Sequence, residues 1–155
     1  MSGVAVRYVD VYVLRRAGAA WELLLLRRAP GTRCTGAWEV VHGHLEADER
    51  PTAAALRELG EETGLELERL YNLSRVEMMY RHTTDEVAVI PVFVAIVPAG
   101  AEPRLSAEHD GHAWRTLEEA GPLLAWPRSA RAVEDIARVF RGVDAGPVED
   151  VLRVC

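Results

Sequence analysis

Three carboxylates in the stretch GHLEADERPTAAALRELGEETGL, residues 43–65, fall within one helical turn: Glu58, Glu61 and Glu62. At about 100° per residue they share a sector of roughly 100°, beside a second sector holding Ala55, Leu56 and Leu59. One face of such a helix can be buried while the next presents acid. Pro51 suits a first turn and Gly64 stands where a stop is expected, which predicts a helix over residues 51–63. Like charges at these spacings repel unless something positive sits among them. Arg57 can pair with Glu61 or with Glu49, but one guanidinium cannot neutralise the whole cluster. A hard divalent cation can, and carboxylates with carbonyl oxygen and water suit Mg²⁺ or Mn²⁺. The loop Val41-His42-Gly43-His44 can bring a backbone carbonyl to the same ion.

Gly43, Glu49, Arg57, Glu58, Leu59, Glu61, Glu62, Gly64 and Leu65 fit G-x5-E-x7-R-E-U-x-E-E-x-G-U, with U aliphatic, without gap or substitution. The chain therefore resembles the Nudix hydrolases. The resemblance implies an enzyme that hydrolyses phosphoanhydride bonds, with Glu58, Glu61, Glu62 and the His42 carbonyl as metal ligands. It also implies that Arg57 and Glu49 form the pair orienting the loop and helix. A weaker likeness covers residues 105–114, where Glu108-His109 and Trp114 resemble a pattern of nucleotide-cleaving members. Glu108 becomes a fourth carboxylate, as metal ligand or base. Glu58, Glu61 and Glu108 stay open as the general base.

The stretch from Trp38 through the box, with Glu108-His109, Trp114 and Trp126-Pro127-Arg128-Ser129-Ala130-Arg131, is similar to the dihydroneopterin-triphosphate and dATP pyrophosphohydrolase group. That likeness implies release of pyrophosphate and a monophosphate from a nucleoside-triphosphate-like substrate. The Glu108-to-Trp114 segment equally resembles diadenosine-tetraphosphate hydrolases, although Val40-Val41-His42 replaces their Pro-Pro-Lys lead-in. Hydrolysis of a dinucleoside polyphosphate or another nucleoside-diphosphate derivative is thus the alternative, beside a nucleotide-binding module without turnover and a structural interaction protein. Many Nudix proteins carry Gly-Gly where this chain has His42-Gly43. The change is harmless if only the carbonyl binds metal and the backbone angles there do not require glycine.

Arg28 and Arg33 lie shortly before the box and are candidates for substrate phosphate, since arginine suits phosphate, or are surface arginines. His44 and Trp38 are further candidates for substrate contact. Trp21, Trp114, Trp126, Tyr80 and His82 could stack on a base or serve packing alone.

The formal charge of −6 argues against a general nucleic-acid backbone binder, while metal would let an acidic protein take polyphosphates. A small nucleotide-like molecule is the expected partner, with the chain a monomer or homodimer. Cys34 and Cys155 are too few and too far apart for a disulfide framework, the apolar stretches are too short to cross a bilayer, and no secretory leader is visible. A cytoplasmic protein away from membranes is expected.

The 155 residues predict one domain, with a core over 1–141 and a tail over 142–155 of no legible periodicity. Strands are expected over 4–14 and 21–27 as a hairpin, over 38–41, around 76–80 and over 86–97, where Pro91 implies an edge or a bulge. A short strand around Trp114 follows, then a capping box at Thr116-Leu117-Glu118-Glu119 opening a helix to Ala125. In the last helix Val133, Ile136, Ala137 and Phe140 repeat at helical spacing. Gly60 inside the box helix would permit close packing, at up to ~1 kcal/mol relative to Ala. Strands before and after a central helix, with helices at the end, predict an α/β/α sandwich around a mixed sheet, as the resemblance also implies.

Overall fold

Alternating apolar residues on a chain with Tyr, Val and Leu in its strands build one eight-stranded mixed sheet. The computed structural model describes residues 3–155. In chain order the elements are β1 (Gly3–Val6), β2 (Tyr8–Ala17), β3 (Ala20–Arg28), β4 (Trp38–Glu39), β5 (Val41–His44), α1 (Pro51–Thr63), β6 (Arg69–Arg81) and β7 (Glu86–Ile96). Then come β8 (His109–Thr116), α2 (Leu117–Leu123), α3 (Pro127–Val139), a 3₁₀ turn (Gly146–Val148) and α4 (Glu149–Leu152).

The β2–β3 hairpin pairs only near its turn, from Leu14↔Leu23 to Ala17↔Ala20. Beyond that the two strands diverge, and the β4–β5 segment enters the gap. Trp38 and Glu39 pair with the end of β3, and residues 41–44 pair with the start of β2. The box loop is thereby anchored inside the sheet. β7 runs parallel to β1 and β2 and antiparallel to β6, while β8 flanks β3.

One sheet face buries Val9, Val11, Val13, Leu24, Leu26 and Phe93 against Ala54, Ala55 and Leu59 of α1. The other buries Tyr12, Leu14, Leu25, Tyr71, Val94 and Ile96 against α2, α3 and the C-terminal segment. This is the expected α/β/α sandwich. The helix over residues 51–63 forms as expected, with Pro51 in its first turn and Gly64 in the left-handed region at φ 63°. The capping box of α2 also forms: Thr116 Oγ1 accepts from Glu119 N, and Glu119 Oε2 from Thr116 N.

Several expectations are corrected. The strand over 4–14 is split at Arg7, where the chain exchanges neighbours: β1 pairs with β7 through Val89, and β2 resumes from Val92. Pro91 lies between those two sets, opposite a register shift in β6 between Asn72 and Val76. The bulge alternative holds and the edge alternative does not; a residue without N–H sits where the ladder is already interrupted. β8 begins five residues before Trp114, and α2 stops at Leu123 rather than Ala125. Leu56 and Ala137 point outward, their buried places taken by Ala54 and Ala132, and Gly60 faces open space rather than a close contact.

The segment over 142–155 folds back onto the sheet. Ala145 and Leu152 join the core, Tyr71 OH donates to Glu149, and Val154 N donates to Leu70 O. Leu152→Ala should cost about 2–4 kcal/mol of unfolding free energy, read from denaturant melts, whereas the exposed neighbour change Val151→Ala should stay within about 0.5 kcal/mol.

Candidate active site

Gly43 on β5 and Glu58 on α1 meet more closely than any side chain on Gly43 would allow. A Cβ built on Gly43 would lie 2.0 Å from Glu58 Cδ, with φ outside the left-handed region, so glycine is required here for approach rather than for conformation. His42 is likewise free of positive φ, which removes the one conformational objection to a non-glycine there.

Glu58 and Glu62 are buried beneath β5, and Glu62 Oε2 has no hydrogen-bond partner. Burial pushes the Glu62 carboxyl up to about 9, and the charges of Glu58, Glu108 and Glu39 push the same way, opposed by a hydrogen bond from the His42 backbone. Along an antiparallel strand a residue's N–H and C=O point the same way, so the His42 carbonyl shares the side from which its amide meets Glu62. Glu58 is also raised by burial, against the pull of Arg57. A buried, anion-crowded carboxylate with one unpartnered oxygen is a donor that a divalent cation would satisfy.

Arg57 gathers the rest of the box. Its guanidinium donates to both oxygens of Glu49 at 2.9 Å, to Glu58 at 2.7 Å, to Glu61 at 3.1 Å and to the His44 carbonyl at 2.8 Å. Those hydrogen bonds hold Glu49 down to about 2, and Glu49 also accepts from Glu46 N, closing the loop over α1. Among the described residues no three acidic, His or Cys side chains stand together as a ready cation cage. Glu58 and Glu61 are turned toward Arg57.

Glu108 lies on the loop entering β8, half-exposed, 3.8 Å from Arg28. Arg28 also reaches Glu39 at 3.3 Å and the Arg33 carbonyl at 2.9 Å, so it stands beside the carboxylates. Arg33 is exposed on the preceding loop. Trp38 is not brought to the carboxylates: strand alternation turns it to the opposite face, where it packs against the α2–α3 side of the core, while His44, on the same face, packs 4.4 Å from the Tyr8 ring and still feels the charges of Glu108 and Arg33. Trp21 and Trp114 are core residues, Trp21 Nε1 donating to Gly142 O and Trp114 lying under Arg15. Tyr80 and His82 belong to the β6–β7 hairpin, and Trp126 remains partly exposed under Arg128.

Sequence reading gave no role of their own to three residues. Glu39 faces Glu62 and is held by Arg28 and by His109 Nε2 at 2.9 Å. His109 is itself fully buried, which its place beside a loop glutamate did not suggest. Asp10 is 1% exposed and accepts from His42 Nδ1 at 2.6 Å and Arg128 Nε at 3.1 Å. Burial pushes Asp10 up, but the His42 and Arg128 partners outweigh it and the net shift is downward. A lone carboxylate within Tyr8-Val9-Asp10-Val11-Tyr12 was the legible signal, since alternation assigns it to a buried face.

Two outcomes test this geometry. Gly43→Ala should fold but displace Glu58, lowering activity or divalent-metal affinity by about 10–100-fold, measured beside a thermal melt. Without metal, Glu62 stays protonated to about 9 in the folded chain yet ionises in the usual carboxylate range when unfolded, so stability falls as pH rises through that window. Glu62→Gln should then be more stable than the parent by on the order of 2 kcal/mol near pH 8 in chelator, and no different near pH 4, by denaturant titration.

The chain matches the NUDIX domain over residues 5–136. It is 38% identical over 115 residues to the octanoyltransferase of Myxococcus xanthus, covering 70% of this chain but 30% of that protein. It is 35% identical over 116 residues to the bis(5'-nucleosyl)-tetraphosphatase [asymmetrical] of Mus musculus, covering 74% of this chain and 77% of that one. Among solved structures, a C. elegans Ap4A hydrolase binary complex superposes with a TM-score of 0.72 at 21% identity, covering 86% and 96% of the two chains. The E. coli dihydroneopterin triphosphate pyrophosphohydrolase gives 0.68 at 20%, covering 84% and 92%. The shared fold, the family match over most of the chain and an ungapped box seated between β5 and α1 lead to one statement: the chain belongs to the Nudix family.

Proposed function

We propose that this protein is a Mg²⁺-dependent pyrophosphohydrolase, with Mn²⁺ as a substitute, that cleaves a phosphoanhydride bond of a nucleotide carrying a chain of phosphates. The carrying observation is the buried Glu58–Glu62 pair, one oxygen of which has no partner, beneath the His42 backbone. Glu58, Glu61, Glu62, Glu108 and the His42 carbonyl would hold the metal. A bound divalent ion there supplies charge screening for the phosphates and acidifies water. Glu58, whose pKa is raised by burial, is one candidate to accept a proton, with Glu61 and Glu108 as the other bases to test. Arg57 and Glu49 act as positioning residues by fixing the loop against α1. Arg28 supplies positive charge beside the carboxylates for a substrate phosphate.

A bis(5'-nucleosyl) tetraphosphate is the substrate favoured by the mouse relative, whose likeness covers most of both chains. The second reading, a nucleoside triphosphate or dihydroneopterin triphosphate, is favoured by Val40-Val41-His42 in place of a Pro-Pro-Lys lead-in. The net charge of −6 disfavours nucleic-acid backbone as a partner, and two exposed free thiols suit the reducing cytoplasm.

The test is product analysis over both substrate types, with Mg²⁺ and with chelator. Asymmetric cleavage to a nucleoside triphosphate and a monophosphate supports the first reading; a monophosphate with pyrophosphate supports the second. Glu62→Gln should lower kcat/KM by about 10²–10⁴-fold on the true substrate. Nucleotide binding without cleavage of any compound would overturn the enzymatic reading.

A further inference from the structure

On the half of the sheet that α1 leaves uncovered, apolar side chains stand side by side across three strands. Along β6, Val76, Met78 and Tyr80 stand opposite Pro91, Val89 and Val87 of β7, and Val89 and Val87 are flanked in turn by Val6 and Val4 of β1. Residues directly opposite on neighbouring strands project to one face, so these side chains are continuous across three strands. Val4, Val6, Val76, Met78 and Tyr80 are between 45 and 72% exposed. Isolated exposed apolar residues need no explanation; a charge-free set packed side by side does.

At one end of this face stands Tyr80, its hydroxyl 3.0 Å from Asp85 on the hairpin turn. At the other end lies a groove of about 390 Å³, whose apolar wall is Pro51, Val76, Pro91, Phe93 and Val154 and whose polar rim is Thr52, Asn72, Ser74 and Arg75. A protruding aromatic and a hollow at opposite ends of one flat surface are self-complementary under a twofold rotation. We propose that this β1–β7–β6 face is the contact between two copies of the chain, stacked sheet on sheet, with Tyr80 of each directed at the groove of the other.

Three further observations favour a second copy as the occupant. The exposed apolar centre spans three strands, Val4 and Val6 on one side and Val76, Met78 and Tyr80 on the other, and a polar rim around such a centre is the anatomy of a stable interface. A twofold contact apposes each residue type with itself or its counterpart, and the centre formed by Val4, Val6, Val76, Met78 and Tyr80 does so without like-charge repulsion despite the net charge of −6. Strand addition at the β6 edge is disfavoured because the reverse face of β6 carries Arg75, Glu77 and Arg81, which are engaged with Asp135 and Glu86 and with each other. Face-to-face stacking leaves those charges in place. The net negative charge equally disfavours an anionic membrane as the occupant.

Sedimentation equilibrium of the full chain from nanomolar to high micromolar concentration reads the proposal directly. A reversible monomer–dimer equilibrium is expected, with Met78→Glu and Tyr80→Ala each raising the dimer dissociation constant by about tenfold or more. Val143→Glu, an equally exposed apolar position on the distant C-terminal segment, should leave it unchanged. Far-UV circular dichroism and hydrolytic activity verify that each variant is folded. A chain monomeric throughout, or a dimer indifferent to Met78→Glu and Tyr80→Ala, overturns the proposal and leaves the face to a different protein.

Discussion

Two buried carboxylates beneath a β-strand set the terms for the rest of this molecule. Glu58 and Glu62 are desolvated against β5, an arrangement that costs free energy unless charge or protons compensate. The fold supplies part of the compensation through Arg57, which reaches Glu58 while its other nitrogens hold Glu49 and the His44 carbonyl. Glu62 receives no such partner on one oxygen and answers by retaining a proton. The same low-dielectric packing that destabilises the metal-free carboxylates would strengthen their hold on a cation.

That arrangement depends on the sheet's opening between β2 and β3. If the hairpin stayed paired along its length, no slot would exist for β4 and β5, and Gly43 could not be fixed opposite α1. Divergence after Leu14↔Leu23 admits the segment, with Glu39 facing the carboxylates and Val40 entering the opposite core. Strand alternation then separates two chemistries: Glu39 and Gly43 on the α1 face, Trp38, His42 and His44 on the other. The side chains of His42 and His44 thus project away from Glu58 and Glu62 even though the His42 backbone adjoins Glu62.

Legibility in the sequence followed the range of the interactions involved. The box helix was legible to its end residues because Pro51 and Gly64 act locally, and so was the α2 capping box, which closes within four residues. Which of Ala54 or Leu56 faces the core depends on how α1 sits on the sheet, and periodicity in an alanine-rich turn does not fix it. The split at Arg7 is set by β5 and β7, elements far along the chain. Trp21 read as a possible stacking residue because its partners, Phe140 and Gly142, lie about 120 positions away. Glu58, Glu61 and Glu62 stand out in the sequence by their spacing and Glu108 by resemblance alone. Glu39 does not, because its place is fixed by a contact with His109 across a 70-residue separation.

Asp10 shows why the His42 substitution is more than tolerated. An ionised Asp10 offers only acceptors, so His42 Nδ1 must carry the proton in their 2.6 Å contact. The other Asp10 oxygen accepts from Arg128 in the first turn of α3, so one buried carboxylate joins β5 to a helix on the layer opposite α1. A glycine at position 42 would give the backbone carbonyl the same freedom to face α1 but would leave Asp10 with a single partner in a site 1% exposed. A buried charge with half its hydrogen bonds removed is destabilising by several kcal/mol in many proteins. The histidine is therefore coupled to Asp10 and Arg128 as a set, and the departure from Gly-Gly has a physical reason on the face away from the carboxylates.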